Sequence, residues 1–192
     1  MKTRWWTVLA VLIAASPSAA SAQPAKSVSK EQGIAAFKTV KAVFQHPRCQ
    51  NCHIPGDAPL FDVDRPHAMN VRRGPDGNGA PGQTCATCHG VENPPDAWGA
   101  GKPPGAPNWK LPPPGHKMVF IGLSSGDLCR LVKDPAKNGG KNFAALIHHV
   151  ADDKLVGWGW NPGIGRAAVP IPRDEFVAKF KEWVAAGAPC AP

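Results

Sequence analysis

One pattern constrains this chain more than any other, and it occurs twice: Cys49-Gln50-Asn51-Cys52-His53 and Cys85-Ala86-Thr87-Cys88-His89. Two thiols separated by two residues can reach both vinyl groups of one porphyrin as thioethers, and the histidine that follows then falls beneath the iron. The repeat implies two covalently held haems (haem c, iron), anchored by Cys49, Cys52, Cys85 and Cys88, with His53 and His89 as the proximal ligands. Structural zinc also uses cysteine pairs. Here, however, 32 residues lie between Cys52 and Cys85, against about 15–20 in the usual zinc spacing. Zinc also gives no reason for a histidine after each pair. A thioredoxin-like redox pair needs a strand–helix setting, which Pro47 and the surrounding Gly/Pro-rich loops oppose. Plain disulfides leave both histidines without a role.

The start of the chain bears on the compartment. Lys2 and Arg4 precede an apolar run from about Thr7 to Ala15, and Ala20-Ser21-Ala22 follows as an A-x-A site before Gln23. This is the order of a cleavable secretory signal over residues 1–22; the apolar run is too short to span a bilayer as an anchor. The mature chain, 23–192, is expected as one dihaem domain in the periplasm, with no membrane span. Without Lys2 and Arg4 the formal charge falls from +8 to +6. That surplus is thinly spread, which argues against nucleic acid and suits docking to an acidic redox partner.

The interior of the chain holds 20 Gly and 22 Pro, with no Tyr, and few segments alternate as half-buried strands do. Such a chain buries a modest core of its own and relies on a cofactor or cross-links. A helix is expected from Ser29, where Ser29 and Gln32 fit a capping box, with Ile34, Phe37, Val40 and Phe44 on its apolar face and Pro47 at its end. From Ile54 to about Leu111 only short elements fit. Further helices are expected from Ser124 or Ser125 to Lys133, from Asn142 to Val150, and from Pro172 to Gly187 with Phe176, Phe180, Trp183 and Val184 inward. The fold class is therefore mainly α, with opening and closing helices packed around two haems and long Gly/Pro-rich loops. Cys129 and Cys190 either bridge the closing helix to the 125–133 helix or stay as buried thiols.

A six-coordinate iron needs a second axial ligand, and His46, His67, Met69, His116, Met118, His148 and His149 offer nitrogen or thioether sulfur. His67 sits in a loop between the motifs, Met118 in an apolar stretch downstream, and His149 on a helix beside Leu146 and Val150. These three are the expected metal ligands. His46 suits the end of the first helix, and only one of His148 and His149 can face a haem. Met118 can equally be core filler. Trp98, Trp109, Trp158 and Trp160 either shield porphyrin edges or pack as ordinary core.

The stretch Gln45–His53, Asn70-Val71-Arg72-Arg73-Gly74-Pro75-Asp76-Gly77, Lys133–Gly140, Leu155–Gly163 and the ending Gly187-Ala188-Pro189-Cys190 resemble bacterial cytochrome c proteins labelled as a subunit of isoquinoline 1-oxidoreductase. The resemblance covers nearly the whole mature chain. It implies a cytochrome c-like domain that accepts electrons from a molybdenum hydroxylase and passes them to a terminal acceptor. It implies an electron carrier and not an enzyme. The alternatives are a dihaem peroxidase, which needs a five-coordinate iron with a polar distal pocket, and a haem-based sensor.

Overall fold

The computed structural model describes Lys2 and residues 27–62 and 64–192. Apart from Lys2, the expected export signal over residues 1–22 lies outside the described residues. The fold is mainly helical, and its opening and closing helices pack on each other.

Helix α1 (Lys30–Phe44) begins at a capping box. Gln32 N donates to Ser29 Oγ (3.2 Å) and Ser29 N donates to Gln32 Oε1 (2.8 Å). Two otherwise orphaned donors of the first turn are thus satisfied. Its buried face is Gly33, Ala36, Phe37, Val40, Val43 and Phe44, so Gly33 and not Ile34 lies at the contact in the first turn. The reason is how closely the C-terminal end approaches. A Cβ at Gly33 would lie 2.5 Å from Ala186 Cβ, and only glycine leaves that room. Helix α7 (Arg173–Ala185) turns Phe176, Phe180 and Trp183 into the same core, and Phe37 meets Trp183 at 4.8 Å between ring centres.

Pro47 does more than end α1. It opens the one-turn helix α2 (Pro47–Gln50), whose N-cap is His46, with Arg48 N donating to His46 Nδ1 at 3.2 Å. Proline suits a first helical position because its missing N–H has no partner there anyway. His46 is thereby spent on a cap. Helices α3 (Ser125–Lys133), α4 (Pro135–Asn138), α5 (Phe143–Asp152) and α6 (Lys154–Gly157) follow, capped by the side chains of Ser124, Asp134, Asn142 and Asp153. A 3₁₀ turn, Trp158–Trp160, continues α6. Cys129 and Cys190 are bridged across 61 residues of sequence with Cα atoms 5.5 Å apart. In the chain-entropy picture a loop of that length contributes about 4 kcal/mol.

Between α2 and α3 the chain forms only short pieces. β1 (Leu60–Phe61) pairs antiparallel with β2 (Arg65–Pro66), and β3 (Gly79–Ala80) with β4 (Gln83–Thr84) around a Pro81-Gly82 turn. The fully buried Arg73 holds these loops together. Its guanidinium donates to the carbonyls of Gly56 (2.9 Å) and Pro112, and it pairs with Asp57 at 3.3 Å. A buried cation is tolerable only when its donors are met in this way. Among the described residues no helix is long and apolar enough to cross a membrane.

Candidate functional site

The two five-residue motifs differ in backbone, the first leaving the end of α2 and the second opening with a 3₁₀ turn at Cys85–Thr87, but both close with the same pair of hydrogen bonds. In the first, Cys52 N and His53 N both donate to Cys49 O, at 3.2 and 3.3 Å. In the second, Cys88 N and His89 N both donate to Cys85 O, at 3.2 and 3.0 Å. The four cysteines are free thiols. Burial pushes the Cys49 thiol up to about 12 and that of Cys52 up to about 11. Among the described residues no three His, Cys, Asp or Glu side chains converge to hold a bare metal ion.

Each motif opens onto its own cavity. The first, of about 470 Å³, lies inside the helical core and is walled by Cys49, Cys52 and His53, by Leu146 and His149 of α5, and by Phe180 of α7. The second, of about 390 Å³, is walled by loop residues, including His67, Cys85, Cys88, His89, Trp109 and Leu111. Both volumes fall in the ~300–1,000 Å³ range of cofactor pockets.

The histidines share one arrangement. His53 Nδ1 donates to Met118 O at 2.9 Å, and His89 Nδ1 to Pro104 O at 2.7 Å. His67 Nδ1 donates to Ala68 O at 2.9 Å. His149 Nδ1 lies 3.3 Å from the Asp153 carboxylate. In all four rings Nδ1 is engaged, so Nε2 is the atom left for a metal. A carbonyl or carboxylate on the far nitrogen fixes the tautomer and orients a ligating imidazole. Burial pushes His53 down to about 4, and it also lowers His89 and His149. Those rings are neutral at pH 7, the form that binds metal.

The rings are also held by stacking. Phe120 lies flat against His53 (4.0 Å, 10°) and is itself stacked on Phe44 of α1 (4.7 Å). Trp109 lies flat against His89 (4.4 Å, 7°). Across the second cavity the rings of His67 and His89 have centres 6.0 Å apart.

Of the expected distal ligands, His149 faces the first cavity and His67 the second. Met118 also lines the first cavity, while its own carbonyl receives His53. His116 lines the first cavity and Met69, 76 % exposed, the second. His148 points to solvent and pairs with Asp152 at 2.7 Å. Trp109 and Trp158 line cavities, Trp160 packs against Phe176 at 5.5 Å, and Trp98 is exposed.

Three side chains escaped the reading of the sequence. Arg48 lines the first cavity, and its Nε is buried without a partner. A buried guanidinium nitrogen left unpaired is costly, and an acidic substituent such as a haem propionate would satisfy it. Phe120 and Asn93 were also missed. Asn93 Oδ1 accepts from Gly105 N and Trp158 Nε1, both at 3.1 Å, and Asn93 Nδ2 donates to Asn161 O at 2.7 Å. It ties the loop after the second motif to the turn after α6. The signal for Arg48 was its place immediately before Cys49. No local pattern marks a phenylalanine or asparagine whose partners lie dozens of residues away.

No family model, no curated protein and no solved structure matches the chain.

Proposed function

We propose that this chain is an exported dihaem cytochrome c-like electron carrier, with one covalent haem in each cavity. When bound, each haem supplies an iron that takes up and gives back one electron. The observation that carries this reading is the repeated construction of the two sites. Two C-x-x-C-H turns closed by the same pair of hydrogen bonds each face a largely apolar cavity, and each presents a histidine whose Nδ1 is tied to a backbone carbonyl. One such site has many explanations; two built alike on unrelated surroundings have few.

Cys49 and Cys52 anchor one porphyrin and Cys85 and Cys88 the other, with His53 and His89 as proximal ligands. His149 is the distal ligand of the first site and His67 that of the second. His67 and His89, with ring centres 6.0 Å apart and both lining the second cavity, are the imidazoles that would hold an iron there. Met118 serves the first site through its carbonyl on His53. Arg48 neutralises an acidic porphyrin substituent, while Phe44, Leu146 and Phe180 exclude water from the first site.

Cys88 of the second motif is exposed, which offers redox partners an approach to that site. A periplasmic molybdenum hydroxylase as donor and a separate terminal acceptor fit the resemblance of the sequence. The test is expression with a cytochrome c maturation system, followed by haem content per chain and ferric spectra. Two covalent low-spin haems are expected. His149→Ala and His67→Ala should each turn one haem high-spin, and a chain that matures without covalent haem ends the proposal.

A further inference from the structure

The two cavities are not independent. Cys52, Trp109, Lys110 and Leu111 line both, and Trp109 is the largest side chain of that shared wall. Its ring is flat against His89 on one side (4.4 Å, 7°) and meets Trp158 edge-on (4.9 Å, 84°). The Arg48 guanidinium sits 5.4 Å from the centre of the Trp158 ring, and Arg48 immediately precedes Cys49. An unbroken run of contacts therefore joins the proximal histidine of one site to the attachment turn of the other.

Resting on the two-haem reading, we propose that Trp109 is a positioning residue for both sites: it fixes the plane of His89 and couples that plane to the first cavity. The physical case is one of degrees of freedom. The hydrogen bond from His89 Nδ1 to Pro104 O sets where the imidazole points, but a single bond leaves rotation about its own axis. A flat aromatic face against the imidazole opposes that rotation, since offset-stacked rings hold a defined geometry. Trp109 is itself held. Asn108 before it takes a positive φ of 59°, and Leu111 N beyond it donates to Gly77 O at 2.9 Å. Trp158, the ring it braces against, is anchored by Asn93 at 3.1 Å. Ordinary packing at the shared wall would need none of this alignment.

The experiment uses the matured full chain. Trp109→Leu is compared with the unsubstituted protein by electron paramagnetic resonance of the ferric form and by a potentiometric titration that resolves both haems. The expected result is an altered second-site signal together with a shifted midpoint for the first site, although Trp109 ligates neither iron. Trp109→Phe, which keeps a ring against His89, should return both signals most of the way. Should the leucine variant fail to mature, Trp109→Met, similar in bulk but without a ring, is read in the same way. An unmoved first-site midpoint, or an unmoved second-site signal, overturns the proposal while leaving two haems per chain intact. Absence of covalent haem from the unsubstituted chain overturns the reading it rests on, and this proposal with it.

Discussion

Helices supply much of the wall of the first cavity and loops most of the second, yet the same five-residue motif closes with the same hydrogen bonds in both. Around His53 the walls come from every helix, α1 to α7, and from the 109–120 segment, and the helices pack through Phe37, Phe44, Phe176, Phe180 and Trp183. Around His89 they come from two-residue strands and 3₁₀ turns, held by single side chains such as Arg73 and Asn93. The comparison separates two properties that a haem-type site needs. The motif carries its own conformation, closed by hydrogen bonds to the first cysteine's carbonyl. Shielding from water comes from elsewhere, by apolar packing in one case and by polar tethers in the other. The stack on each histidine follows this division: Phe120 belongs to the core cluster, while Trp109 is half-buried in a loop.

The sharpest way to break this comparison is to delete the anchors of one site at a time. The first cavity is lined by core residues of α1, α3, α5 and α7, Phe44, Val132, Leu146, Val150 and Phe180 among them, whose packing depends on what fills it. Cys49→Ser with Cys52→Ser should therefore remove much of the helical circular dichroism. Cys85→Ser with Cys88→Ser should leave it nearly intact, because loops can close over the second cavity. Equal losses from the two pairs would show that the sites are not structurally distinct.

A smaller effect is expected from the disulfide. Cys129→Ser should lower stability by about 4 kcal/mol in denaturant unfolding, through a bridge that joins α3 to the chain after α7. The spectrum of the second haem should not move under native conditions, and a change there would mean that the helical unit also holds the loops. The smallest is the cap of α1. Ser29→Ala removes the hydroxyl that accepts from Gln32 N and should cost about 1 kcal/mol, read as a lower unfolding midpoint with both haem spectra unchanged.

Much of the helical half was legible because its signals are local. Ser29 and Gln32, Pro172 and the Phe176–Phe180–Trp183 spacing mark helix starts and faces within a few residues of themselves. The bridging of Cys129 to Cys190 was one of two open alternatives, and the structure joins them. The loop half was not legible in the same way. Gly and Pro between Ile54 and Leu111 announce turns, but which turns meet depends on Arg73 reaching Gly56 and Pro112 from 17 and 39 residues away. The short helices α2 and α4 were also missed, since Pro47 and Pro135 signal a break and a first helical position equally well, and α6, four residues capped by Asp153, is too short to show a period.

The sequence by itself determined the two C-x-x-C-H turns and the long opening and closing helices, because each depends on neighbours within one or two turns of chain. Only the tertiary structure decided which distant residues face each cavity. His149 and not His148 turns inward, His67 comes to lie 6.0 Å from His89, and Phe120 and Trp109 lie flat on the two rings. Those placements rest on side-chain packing and single hydrogen bonds between segments far apart in sequence, and such contacts leave no periodic or local mark on the residues that make them.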